Sequence, residues 1–283
     1  MNFFPLGKFS NRAILLTATI CGFVSAARPQ SSSQSAGPNL MVHDNEMQTR
    51  MELSNMDAFA DKDQVIAFKA FQKEPEPEKK ILLGNDFLQK YPKSTFTERV
   101  DIGMMNAYHD RQDWKNTYLF ADKALAIQPD DVDALTTVSW TIPHVYDPND
   151  ADADQQLDKA EKYAKHAIDV IPKTTKPPGM NDAQFEATKT RRIFQAHSAL
   201  GLVYFRRKDF DNSAKELSLA TKDNSAPDPT DLFVLGTDLQ NLTRYGEAAD
   251  AFSKCGQIAG PLQNQCKQQA VSAKLQADQP KSK

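Results

Sequence analysis

After Val24, no run of apolar residues approaches the roughly 20 that an ordinary transmembrane helix requires. Charge of one sign is also lacking. The 34 Lys and Arg against 37 Asp and Glu leave a formal net charge of -3, which offers no electrostatic footing for nucleic acid. Cysteine is scarce, with three in 283 residues. The five histidines, His43, His109, His144, His166 and His197, show no metal-ligand spacing such as H-E-x-x-H. A G-x-S-x-G nucleophile elbow and a glycine-rich phosphate loop are both absent. These absences predict a chain without a catalytic residue, a metal or a cofactor.

The first residues have the layout of a secretory signal. Lys8 and Arg12 precede the apolar run Ala13 to Val24, and the small residues Ser25, Ala26 and Ala27 follow. Cleavage is expected after Ala26 or Ala27, giving an exported, periplasmic or secreted chain. Two alternatives are weighed: membrane anchoring through an uncleaved N-terminus or one lipidated at Cys21, and a mitochondrial signal, since the first acid is Asp44. Residues 27–56 carry the cluster Ser31 to Ser35 and no clear periodicity, which reads as a flexible leader.

Beyond that leader the chain repeats itself. Gly201 is followed by Tyr204, Ser213, Leu217 and Ala220, and Gly236 by Leu239, Ala248, Phe252 and Cys255, at identical offsets. The copies lie thirty-five residues apart, and periods near 34 mark helix–turn–helix arrays. Small residues at these places let two antiparallel helices approach, while larger ones fill the seams. The pattern resembles the tetratricopeptide repeat family. That resemblance implies an all-α solenoid whose first helices line a concave wall, and the work of a protein-binding scaffold.

Extended along the chain, this register predicts five helix–turn–helix hairpins and a C-terminal capping helix over residues 57–278, with a frayed tail at 279–283. In the first hairpin, Phe59, Ile66, Ala67, Ala70 and Phe71 form one expected face, ended by Glu74-Pro75-Glu76-Pro77. Its second helix runs from about Glu78 to Lys90. The second hairpin spans Thr97 to Pro129, with Met105 where the later copies have glycine. The third starts near Asp131, and its long turn at Tyr146 to Gln156 precedes a helix expected to begin near Asp158. A loop at Lys173 to Met180 then leads to a long helix from Asp182. Pro261 is expected to open the cap. Cys255 and Cys266 fall on helices that should pack face to face, so a disulfide is expected, contributing on the order of 2–3 kcal/mol.

Asp150, Asp152, Asp154, Asp158 and Glu161 reproduce the spacing of a calcium-binding loop, although Gln155 stands where such loops turn on glycine. The plainer reading is an acidic turn capping the next helix, and no metal site is assigned. The concave register nominates Asn106, His109, Trp140, Leu202, Phe205, Arg206, Phe233 and Gln240 as partner-contacting residues. Arg99, Ile102, Thr136, Gln195, Ser198, Thr237 and Asn241 lie beside them. Trp140, Phe205 and Phe233 are the expected anchors, because aromatics carry a large share of interface energy. The functional expectation is a non-catalytic scaffold of the cell envelope that takes an extended or helical segment of another protein. One alternative is a structural component of an envelope or outer-membrane assembly complex. A second is a calcium-responsive module at 147–161.

Overall fold

The computed structural model describes residues 61–177 and 179–279. The signal, the leader, the expected start at Asp57 and Phe59, and the end of the tail lie outside the described residues. Within them the chain is helical throughout, with no strand. Eleven α-helices form five hairpins and a cap: α1 Lys62–Lys73 with α2 Pro77–Lys90, α3 Thr97–Asp110 with α4 Trp114–Ile127, and α5 Val132–His144 with α6 Ala153–Val170. The series continues with α7 Asp182–Arg206 and α8 Phe210–Thr221, α9 Pro229–Asn241 and α10 Tyr245–Gln257, and the cap α11 Gln263–Ala277.

Local chemistry sets these boundaries. The Asp61, Asp113, Asp131, Asp209 and Asp228 side chains each accept a backbone N–H in the first turn of the helix that follows. Three hairpins share one turn. Gln112, Lys208 and Thr243 take positive φ values of 57°, 62° and 58°. The next N–H reaches back to a carbonyl of the first helix: Asp113 to Tyr108 at 3.0 Å, Asp209 to Tyr204 at 2.9 Å, Arg244 to Leu239 at 2.8 Å. The orphan carbonyls at the helix end are thereby satisfied.

Each first helix touches the first helix of the next hairpin, from α1 to α3, α5, α7 and α9 in turn, whereas no second helix packs appreciably on the next second helix. Neighbouring hairpins are therefore closer along their first helices, which form the inner row, and α2, α4, α6, α8 and α10 form the outer one. The hairpin seams are tight where glycine sits. A Cβ on Gly201 would lie 2.5 Å from Leu217 Cγ, and one on Gly236 2.7 Å from the Phe252 ring. In the N-terminal half, where Met105 replaces the small residue, glycines instead tighten the contacts between the first and second hairpins. Gly84 receives Met104, and Gly103 receives Phe71.

Three expectations need correction. Ile66 is 65% exposed and Ala70 is exposed, because the buried face of α1 is Val65, Phe68 and Phe71. Phe68 stacks on Phe96 at 4.3 Å, which rotates the helix away from the expected stripe. Helix α6 begins at Ala153 rather than near Asp158, since Ala153 and Leu157 are buried against α5 and draw the first turn inward. The cap starts at Gln263, after a turn through Gly260 and Pro261.

The seams predict opposite outcomes for two glycines. Gly201→Ala should lower unfolding free energy by about 1–3 kcal/mol, since Leu217 must move. Gly246→Ala on α10, with open space around its Cα, should be neutral or stabilising by up to about 1 kcal/mol. Urea midpoints of the two variants check the contrast.

Candidate functional site

The inner row is more crowded than its register suggests. Leu202 is 3% exposed and belongs to the apolar cluster of Ala214, Leu217, Val234 and Leu235, so it fills the seam between the last two hairpins instead of facing a guest. Ile102, Thr136 and Ser198 are buried as well. The Thr136 hydroxyl donates to Val132 O at 2.7 Å, and Ser198 bonds with Asp231 at 2.8 Å.

Phe205 and Phe233 are half-buried and pack on that same cluster from consecutive first helices, α7 and α9. Phe205 lies 6.4 Å from the ring of Phe210 on α8, and Phe233 meets Phe252 on α10 edge-on at 5.6 Å. Each ring thus has one side held by its own hairpin. Gln240 is half-buried one turn beyond Thr237, whose hydroxyl donates to Phe233 O at 2.9 Å. Asn241 is exposed and donates from Nδ2 to Thr237 O.

Trp140 and Arg206 sit farther along the row and are committed to the protein itself. Trp140 packs against Ala164, Ala199 and Leu200, with its ring 3.8 Å from that of His144. Arg206 donates from both Nε and Nη2 to Pro143 O, at 3.1 and 2.9 Å, and lies over the Tyr146 ring at 5.4 Å. Pro143 is in the last turn of α5, where carbonyls lack helical partners. The guanidinium therefore caps one first helix from the next. Burial holds the His144 imidazole below its ordinary pKa, so it stays neutral, and pushes the Arg206 guanidinium down as well.

Asn106 and His109 lie on α3, apart from both groups. His109 is half-buried, meets Trp114 edge-on at 5.5 Å, and has its pKa lowered by burial. Nearby, Asp101 is buried, with Oδ1 lacking a hydrogen-bond partner, and burial raises its carboxyl to about 6. The nominated residues thus form one apolar patch (Phe205, Phe233), one structural tie (Trp140, Arg206) and one separate polar spot (Asn106, His109).

The calcium-loop reading of the acidic turn is overturned. Residues 153–161 are helical and cannot wrap an ion, and Asp158 and Glu161 both bind Arg207 of α7. Asp152 accepts from Gln156 Nε2 at 2.7 Å. At the far end, Cys255 and Cys266 are fully buried and face each other, with Cα atoms 5.7 Å apart. No helix among the described residues is long and apolar enough to cross a membrane.

If Arg206 is the tie described, Arg206→Lys should cost about 1–2 kcal/mol, because an ammonium cannot reproduce the two-pronged contact or the stacking. Denaturant midpoints test this, and an unchanged midpoint would leave Arg206 available for a guest.

No family model matches the chain, and no curated protein matches it. Among solved structures, the chain is similar to the crystal structure of a thermophilic TPR protein of Thermus thermophilus. The two share 15% identity and a TM-score of 0.45 over 75% of this chain and 95% of that one. On their own helix pairing and small-residue seams, the described residues form an all-α, tetratricopeptide-like solenoid of five hairpins and a cap.

Proposed function

We propose that this protein is a non-catalytic scaffold of the cell envelope that holds an extended or helical segment of another protein along its inner row. The reading is carried by Phe205 and Phe233: two half-exposed rings on consecutive first helices, joined by one apolar cluster and each braced from behind. Such rigid aromatic anchors bury large area at small entropic cost. Gln240 stands beside them to meet peptide backbone groups of a guest. Leu202 supports the rings from the core, and Arg206 keeps the α5–α7 step in place.

Export is the second part of the proposal. It is supported by the signal-like N-terminus and by the Cys255–Cys266 pair, whose separation lies within the Cα range that disulfides span. An envelope-assembly role, with the chain anchored through Cys21, is the alternative, and the acylation state of Cys21 in the mature protein separates the two.

Phe205→Ala with Phe233→Ala should reduce recovery of specific co-purifying envelope proteins at least tenfold with unchanged helical content, whereas Leu119→Ala on the outer row should not. Affinity capture with quantitative mass spectrometry makes the comparison, and equal recovery by all three chains would refute the inner-row reading. For the cysteines, protein isolated without reductant should resist thiol alkylation even when unfolded, and should become reactive after reduction.

A further inference from the structure

The seam between the fourth and fifth hairpins contains a carboxyl with no charge to oppose it. Asp238, in the last half of α9, is fully buried. Its Oδ2 lies 2.5 Å from Ser213 Oγ of α8, and its Oδ1 has no hydrogen-bond partner. Ser213 Oγ also lies 2.8 Å from Gly201 O of α7. A hydroxyl has one proton. When Ser213 gives it to the carbonyl, which can only accept, the contact to Asp238 requires the carboxyl to be the donor. Three helices of two hairpins therefore meet through one chain of hydrogen bonds, Asp238 to Ser213 to Gly201, complete only while Asp238 keeps its proton.

The surroundings favour that state. Among the described residues, no cation forms an ion pair with Asp238. On α7, Arg206 is held by Pro143 O, Arg207 by Asp158 and Glu161, and His197 by Glu216 of α8. On α8, Asp211 and Lys215 are exposed, and on α10 so are Asp250, Lys254 and Glu247, the last paired with Arg244. On α9 itself, Asp231 is buried against Ser198, with Asp228 nearby. The position near the C-terminal end of α9 adds the unfavourable end of the helix dipole.

We propose that this seam is a proton-operated joint: Asp238, inserted uncharged between α8 and α9, holds the last hairpin and the cap onto the array and loses that hold when it ionises. Burial raises the carboxyl to about 7, against an ordinary value of 3.8. A folded-state pKa above the unfolded one means that the native state binds the extra proton. The stabilisation is complete below about pH 4 and is lost as pH rises to about 7. Asp231, raised to about 8 by burial, acts in the same sense on the α7–α9 contact. Through Phe233 and Gln240 the joint would tune guest capture; that consequence rests on the function proposed above, while the joint itself does not.

Hydrogen exchange of the full chain at pH 5 and pH 8, corrected for intrinsic rates, tests the joint without any partner. In the native sequence the opening equilibrium of α9 to α11 should rise about tenfold or more between the two pH values, relative to α3 and α4. In Asp238→Asn, whose amide donates to Ser213 without titrating, the rise should shrink about tenfold or more, leaving the part that Asp231 contributes. A native chain with no such rise, or a variant that keeps it in full, overturns the proposal. Should the variant not fold, Ser213→Ala replaces it. Loss of the acceptor for the protonated carboxyl should move the opening to lower pH, and an unmoved midpoint is likewise fatal. Loss of guest binding in Phe205→Ala would leave the exchange result untouched, so the two proposals fail separately.

Discussion

The close approach of paired helices governs the rest of this molecule. Gly201 against Leu217 and Gly236 against Phe252 bring first and second helices within a side chain's thickness. Because protein interiors pack at the density of organic crystals, such a seam leaves little latitude in the distance or tilt of the pair. The hairpin geometry then sets how far each unit steps from the last. Contacts along the first helices but not between second helices place the first row on the inside.

The inner row carries two demands that compete for the same side chains. Stacking requires buried contacts between first helices, and recognition requires exposed ones. Leu202, Ser198 and Thr136 serve the first and are withdrawn from the surface. Phe205 and Phe233 are large enough to serve both, burying one face and presenting the other. Polar groups drawn into the seams find local solutions: a hydroxyl bonded within its own helix at Thr136, a guanidinium capping a carbonyl at Pro143, a carboxyl against a serine hydroxyl at Asp238. The last two join helices that the apolar contacts also join. Polar burial without compensation would cost several kcal/mol, so these partners are part of the packing.

Much of the architecture was legible in residue order. The small-residue offsets, the proline and aspartate punctuation and the paired cysteines mark five hairpins and a cap, and the described helices follow those boundaries within a few residues, the start of α6 aside. The first hairpin was the hardest to read, because its buried face depends on Phe96, far along the chain, stacking on Phe68. The acidic turn misled for a related reason: its spacing is that of a loop, yet Ala153 and Leu157 pull those residues into a helix against α5. Of the candidate site, the periodicity located the helix face but not which of its members a neighbouring helix covers.

The division follows the range of the forces. Helix ends, turns and the repeat period arise from contacts among residues a few positions apart, and those can be read in one dimension. Whether Leu202 is core, whether Arg206 is already occupied, and whether Asp238 has a charge to meet depend on groups from a different hairpin. Arg206 finds Pro143, and Asp238 finds Ser213, because stacking brings helices together that the order of residues leaves dozens of positions apart.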